Sequence, residues 1–176
     1  MFFRRLQGFL ILSTLSVCLG KSLEARVQSF NTIEGDEESL FVYNVRLIGR
    51  DRMLNGTFVF KVDLDDTFDV SFNILVFKNG EWEEGNIKVF TKACNFHTNY
   101  FGKYFLPMVN DSNIPPVNEL CPFRKGKYYV KNILIEPKNW PTVLYRGLTK
   151  SIVKYIRNGK CTGGVEYDMS LTDIND

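Results

Sequence analysis

The 176-residue sequence has a single histidine, His97, and none of the short motifs that mark common hydrolases. It contains neither a Gly-x-Ser-x-Gly nucleophile turn nor a His-Glu-x-x-His zinc helix. Cys94 lies three residues before His97 and could form a thiolate–imidazole pair with it, but a disulfide at Cys94 would remove the thiol. These absences favour a binding protein over an enzyme, with no metal and no cofactor.

A complete calcium loop is also missing. Four aspartates between residues 63 and 69 resemble one, but Thr67 occupies a ligand position and Phe68 stands where the loop requires glycine. We interpret this cluster as a solvated strand end. Paired carboxylates for glycoside hydrolysis stay open at this stage, because their separation depends on the fold.

Long apolar runs are confined to the first 20 residues. Arg4 and Arg5 precede an apolar stretch from Phe9 to Leu19, which is too short to cross a bilayer core about 30 Å thick. With a cleavage site at Gly20, residues 1–20 are predicted to be a signal peptide and the protein to be secreted and extracellular. No later run suggests a transmembrane segment, and the tail 172–176 carries no lipid-anchor signal.

Charge of one sign is not in excess either. The chain holds 22 basic and 20 acidic residues, and the leader removes Arg4 and Arg5, so the mature charge is near zero. This argues against nucleic acid, whose binders carry a basic stripe, and against purely electrostatic attachment to membranes. The mature length suits one domain. Segment 21–39 contains five acidic residues and few apolar ones, and it is predicted to be a flexible N-terminal arm.

Alternating apolar and polar residues predict strands over most of the remaining chain. The clearest run is 67–77, and Asn-Gly pairs at 79–80 and 158–159 predict hairpin turns. Apolar residues spaced by three and four predict a helix at about 91–108. The expected fold is an all-β, immunoglobulin-like antiparallel β-sandwich over 40–171 with one short helix.

Three cysteines follow the leader, so one is left over within a monomer. We predict a disulfide between Cys94 and Cys121, which would pin the helical segment and the loop 110–120 to the strand that starts at Tyr128. Closing this loop would stabilise the fold by about 3 to 4 kcal/mol. Cys161 is then a free buried thiol or a link to a second copy.

Two N-glycosylation acceptor sequences agree with secretion. They are Asn55-Gly56-Thr57 and Asn110-Asp111-Ser112, both in predicted loops or turns where a glycan can face water. Occupancy of at least one is expected.

Several short motifs carry a resemblance to a known family. The segments Cys121–Tyr128, Asn139–Pro141, Gly147, Leu148–Ile156 and Asn158–Cys161 resemble the C-terminal half of the ganglioside activator protein and the wider ML lipid-recognition superfamily. The chain is more similar still to the insect chemosensory proteins A and B, secreted relatives of that activator, through Asn55–Thr57, Cys94–Phe96, Ser112–Pro115 and Tyr128–Asn132. The resemblance covers about 40–171.

The resemblance implies an ML-type lipid cup, in which two sheets splay at one edge and hold a lipid tail or another long hydrophobic molecule. Fifteen Phe and eight Tyr suit such a cup, although aromatic rows are also the ordinary core of a closed sandwich. Trp140 is expected near the rim, because its N–H needs a partner. The predicted lining residues are Phe58, Phe60, Phe72, Ile74, Tyr100, Phe105, Tyr128, Trp140 and Ile152.

One departure from the activator concerns Cys161. The matching cysteine of the activator bonds to a cysteine near its N-terminus, but residues 21–93 contain none here. The resemblance therefore implies an N-terminal strand without a covalent tether, beside an opening that is wider or more mobile than the activator's.

The sequence thus predicts a secreted binding protein for a hydrophobic ligand, a lipid or a pheromone, in chemosensation. One alternative is an interaction protein that docks on a receptor or an enzyme and carries lipid only secondarily. Another is an activator that extracts lipids from membranes for a hydrolase.

Overall fold

The computed structural model describes residues 23–174, and the predicted signal peptide lies outside them. No helix in this range is long and apolar enough to span a bilayer. The strands are β1 (Leu23–Ile33), β2 (Phe41–Ile48), β3 (Met53–Phe60), β4 (Asp69–Lys78), β5 (Glu81–Lys92), β6 (Gly126–Ile133), β7 (Gly147–Arg157) and β8 (Lys160–Asp173).

Helical turns fill part of the connection between β5 and β6. We call Ala93–Met108 the helical segment. It consists of α1 (Ala93–Phe96), a π-helical turn (His97–Phe101), α2 (Gly102–Tyr104) and, after Phe105, a 3₁₀ turn (Leu106–Met108). A separate 3₁₀ turn covers Val117–Glu119. The predicted helix is confirmed from Ala93 onward, since β5 continues to Lys92.

The strands form two antiparallel layers. One layer has the order β1-β8-β7-β4-β5, and the other has the order β2-β3-β6. A single parallel pairing, Phe41 with Gly163, joins the layers at one end. The all-β sandwich expected from the alternating pattern is therefore confirmed, and both Asn-Gly turns adopt positive φ angles as a tight hairpin requires.

The N-terminal arm differs from the prediction. Residues 23–33 are not a loose segment but the edge strand β1, which pairs with β8 from Leu23 opposite Asp173 to Ile33 opposite Gly164. Ala25 and Val27 are buried, whereas their neighbours Glu24, Arg26 and Gln28 are exposed. Only Glu24 of the five acidic residues in 21–39 lies within β1, and the partner strand lies at the far end of the sequence.

Aromatic rings close one end of the sandwich. Phe41 is fully buried at its centre, with ring centroids 5.0 Å from Phe60, 5.4 Å from Phe68 and 4.6 Å from Tyr155. Phe123 packs beside Phe60 at 4.9 Å. At this end the aromatic rows form ordinary closed core, as expected for any sandwich.

The predicted disulfide is confirmed. Cys94 and Cys121 form a disulfide with their Cα atoms 5.2 Å apart, which fastens α1 to the segment ahead of β6. Cys161 is a free, half-buried thiol on β8. Its backbone N–H donates to Asp36 Oδ2 at 2.8 Å, and its carbonyl accepts from the Asp36 N–H at 2.9 Å. These two hydrogen bonds fasten the connection between β1 and β2 without a covalent tether.

Candidate functional site

A cavity of about 290 Å³ lies between the two sheets and borders the closed aromatic end, since Phe60, Phe123 and Tyr155 belong to its lining. Three walls surround it: the inward faces of the five-stranded sheet and of the three-stranded sheet, and one face of the helical segment. The first wall includes Ile74, Val153 and Val165, and the second includes Tyr43, Leu54 and Phe58. Among the described lining residues there is no aspartate, glutamate, lysine or arginine.

Helical periodicity produces the third wall. Phe96 and Tyr100 are four residues apart and stack with ring centroids at 5.7 Å. Phe101 and Phe105 repeat the spacing and stack at 6.4 Å. All four rings line the cavity. The Cys94–Cys121 disulfide holds the beginning of this segment in place.

Most of the predicted lining residues meet at this cavity. Those that line it are Phe58, Phe60, Phe72, Ile74, Tyr100, Phe105 and Trp140. They come from β3, β4, the helical segment and the connection between β6 and β7. Period-two and helical spacing marked the strand and helix residues among them, whereas Trp140 follows neither pattern, and the resemblance to the ML superfamily suggested a cavity.

Tyr128 and Ile152 do not line the cavity. The Tyr128 ring packs on Phe123 at 4.8 Å, and its hydroxyl donates to the Arg124 carbonyl at 2.7 Å, so it belongs to the closed core. Ile152 lies on the outer face of β7, because Ser151 and Val153 on either side of it point inward and are buried. The prediction for Ile152 was wrong, because the hydrophobicity of its side chain suggested an inward position on β7.

Trp140 closes one margin of the cavity. Its indole Nε1–H donates to the Tyr104 carbonyl at 3.0 Å, which confirms that the N–H has a partner. Its ring contacts Phe105 with centroids 5.3 Å apart. Together these contacts fix the connection between β6 and β7 against the helical segment, where Pro141 and Leu144 add apolar surface.

Sequence reasoning missed a chain of polar groups in the lining. The Tyr43 and Tyr155 hydroxyl oxygens lie 3.0 Å apart, and the Tyr155 hydroxyl is 3.5 Å from Nε2 of His97. On the neighbouring strands β7 and β8, the lining residues Ser151 and Tyr167 lie directly opposite each other. Two features of the sequence could have indicated these polar groups. Polar residues occupy inward positions of β7, and His97 lies on the apolar face of the helical segment.

Burial keeps these groups uncharged. Desolvation lowers the pKa of His97 to about 4 and raises the pKa of Tyr155 and of Tyr167 to about 12. Desolvation and the neighbouring Tyr155 hydroxyl raise the pKa of Tyr43 well above its ordinary value. At neutral pH the lining is therefore electrically neutral but contains hydrogen-bonding groups.

The two acceptor asparagines differ in environment. Asn110 is exposed in the connection that follows the helical segment. Asn55 lies within β3, not in a loop as predicted, and is half-buried, with its amide Nδ2–H donating to Asn132 Oδ1 at 3.3 Å.

Residues 70–148 match a family described as a protein of unknown function, DUF1091. The matched region runs from β4 to the start of β7 and includes the helical segment, Trp140 and the disulfide. No curated protein matches the chain.

Proposed function

We propose that this protein is a secreted binding protein that carries a hydrophobic ligand, a lipid or a pheromone, in chemosensation. The observation that supports this most directly is the apolar cavity between the sheets. A closed sandwich of this composition would fill that space with the same aromatic side chains. The proposal is one of binding and not of catalysis.

The driving force is the transfer of apolar surface out of water, worth about 25 cal/mol per Å² buried. Apolar protein cavities of about 150 Å³ stay dry and take up benzene. A cavity of about 290 Å³ is roughly twice that size. It suits a compact hydrophobic molecule or part of a longer chain.

The chemosensory assignment depends on the resemblance to the insect chemosensory proteins A and B and to the ML superfamily. The match to DUF1091 covers the region that holds much of the cavity lining but names no ligand. The disulfide is consistent with an oxidising extracellular compartment. In this setting the protein would carry, present or clear a cue in the fluid around sensory cells.

The test is ligand uptake by purified, delipidated protein, after mass spectrometry of the lipids that copurify with it. Ile74→Trp would fill the cavity, and Ile152→Trp is the matched control on the outer face of the same sheet. We expect Ile74→Trp to weaken uptake at least about tenfold, while Ile152→Trp binds as the wild type does. Failure of the wild type to take up any apolar ligand would refute the proposal.

A docking role is the second candidate, supported by exposed aromatic residues on the edge strand β5. Within the described residues β5 pairs only with β4, and Phe90 is 67% exposed. A protein partner would then depend on Phe90, and Phe90→Ser would abolish its binding without changing ligand uptake. Extraction of lipid from vesicles by the protein alone would instead favour the activator role.

A further inference from the structure

His97, one of the cavity-lining residues, has a hydrogen-bonding atom that the protein leaves without a partner. Nδ1 of His97 is buried and has no hydrogen bond among the described residues. Nε2 faces the Tyr155 hydroxyl, which is itself next to the Tyr43 hydroxyl. A neutral imidazole has one N–H and one bare nitrogen. Whichever tautomer is present, Nδ1 keeps an unused capacity to donate or to accept.

Aromatic rings surround this polar atom. The His97 ring stacks on Tyr155 at 6.0 Å and contacts Phe101 and Phe123 at 5.7 and 5.4 Å. An unpaired polar group in such surroundings is destabilising unless something else satisfies it. Since His97 also lines the cavity, a bound molecule is the available source of a partner.

The same wall excludes a charged partner. Neither a basic nor an acidic side chain is found among the described lining residues, so a carboxylate or an ammonium would enter without a counter-charge. The imidazole is neutral at physiological pH, because burial lowers its pKa to about 4. The chemistry that fits is an uncharged oxygen function.

We infer that the cavity selects hydrocarbons that carry one uncharged oxygen group, a hydroxyl, carbonyl or ester, which hydrogen-bonds beside His97 and Tyr155 while the hydrocarbon part fills the apolar space. This inference rests on the proposed function and specifies its ligand class. Purely hydrocarbon ligands leave the His97 nitrogen unpaired, and fatty acid anions are rejected for lack of a cation.

The experiment compares three probes of equal chain length, dodecane, dodecanol and dodecanoate, on the delipidated protein. The informative quantity is the ratio of dodecanol to dodecane affinity in the wild type and in His97→Phe. We expect this ratio to fall about tenfold in His97→Phe, because the ligand hydroxyl loses its partner. His97→Asn keeps an amide near the Nδ1 position and should restore part of the ratio. Dodecanoate should bind more weakly than dodecanol.

A spectroscopic readout needs no variant. His97 is the only histidine, so nitrogen NMR of histidine-labelled protein reports a single imidazole. Dodecanol should shift its ring-nitrogen resonances, and dodecane should leave them nearly unchanged.

The outcomes separate the inference from the proposed function. If dodecane and dodecanol both bind but His97→Phe keeps their affinity ratio and neither moves the imidazole resonances, the inference is overturned and a nonselective carrier remains. Tighter binding of dodecanoate than of dodecanol would also overturn it. If none of the three probes binds, the carrier function itself is refuted.

Discussion

The hydroxyl oxygens of Tyr43 and Tyr155 lie 3.0 Å apart although the two residues belong to opposite sheets, Tyr43 to β2 and Tyr155 to β7. Both hydroxyls are within the sandwich, where an unpaired hydroxyl is costly. This contact is therefore a polar link between the two sheets. It lies next to the cavity, where the sheets do not touch.

The first prediction concerns this link. Tyr43→Phe or Tyr155→Phe removes one hydroxyl and leaves the other with one partner fewer, so each should lower the free energy of unfolding by about 1 to 2 kcal/mol. The double variant should lose less than the sum, with a coupling of about 1 kcal/mol, as measured by urea unfolding. Tyr129→Phe, at an exposed position on β6, is the control and should be near neutral. Additive losses would show that the two hydroxyls do not interact.

The periodicity of apolar residues predicted those parts of the fold that depend on neighbours in the sequence. The inward row of β4, both hairpin turns and the apolar face of the helical segment depend on residues close in sequence. Phe72, Ile74, Tyr100 and Phe105 were found in this way and meet at the cavity.

Features that depend on distant partners were not predictable from the same patterns. β1 is ordered because β8 supplies its hydrogen bonds, and no residue near Leu23 encodes that. On β7, Ser151 lies opposite Tyr167 of β8 and points inward with Val153 and Tyr155, so Ile152 is left on the outer face. An isolated strand pattern would place the isoleucine inside.

The second prediction concerns the disulfide. Cys94 and Cys121 are 27 residues apart, and the chain-entropy relation gives about 3.5 kcal/mol for closing such a loop. Replacing both cysteines with serine should lower the free energy of unfolding by roughly that amount and loosen the helical wall, so apolar ligand uptake should weaken as well.

The control for this experiment is the thiol outside the disulfide. Cys161→Ser should change the free energy of unfolding by no more than about 0.5 kcal/mol, because its sulfur makes only long contacts at 3.9 Å. A loss from Cys161→Ser as large as that from the paired cysteines would contradict this account. Comparing both variants under reducing and oxidising conditions would also reveal any intermolecular link through Cys161.

The third prediction concerns glycosylation. Asn110 is exposed, whereas Asn55 is half-buried within β3 and its amide is hydrogen-bonded to Asn132. A glycan on Asn55 would replace one amide hydrogen in a paired strand. We therefore expect protein that is expressed through a secretory pathway to carry its glycan chiefly on Asn110. Asn110→Gln should remove most of the mass lost on glycosidase treatment, and Asn55→Gln should remove little; the reverse pattern would show that the strand position is the main acceptor.

The fourth prediction concerns the pH dependence of stability. His97 has a folded-state pKa of about 4 against an ordinary value of 6.5, because burial disfavours its charged form. Above pH 6.5 the imidazole is neutral in both the folded and the unfolded protein, so His97 does not make the free energy of unfolding depend on pH. As the pH falls from 6.5 toward 4, the unfolded chain binds a proton that the folded protein does not, so stability decreases. Below pH 4 both states are protonated and the loss stops growing.

The size of this loss follows from the pKa difference. Between pH 7 and pH 5 the His97 contribution should be about 2 kcal/mol, since each unit of difference is worth about 1.4 kcal/mol. Carboxylates titrate in this range too, but they do so equally in wild type and in His97→Phe, which cannot take up this proton. The measurement is therefore the difference between the two proteins in urea-unfolding free energy at pH 7 and pH 5. The wild type should lose about 2 kcal/mol more than His97→Phe. Parallel pH profiles would mean that the imidazole is accessible to water in the folded protein. Water could then hydrogen-bond to Nδ1, and the argument that a ligand is needed as its partner would fail.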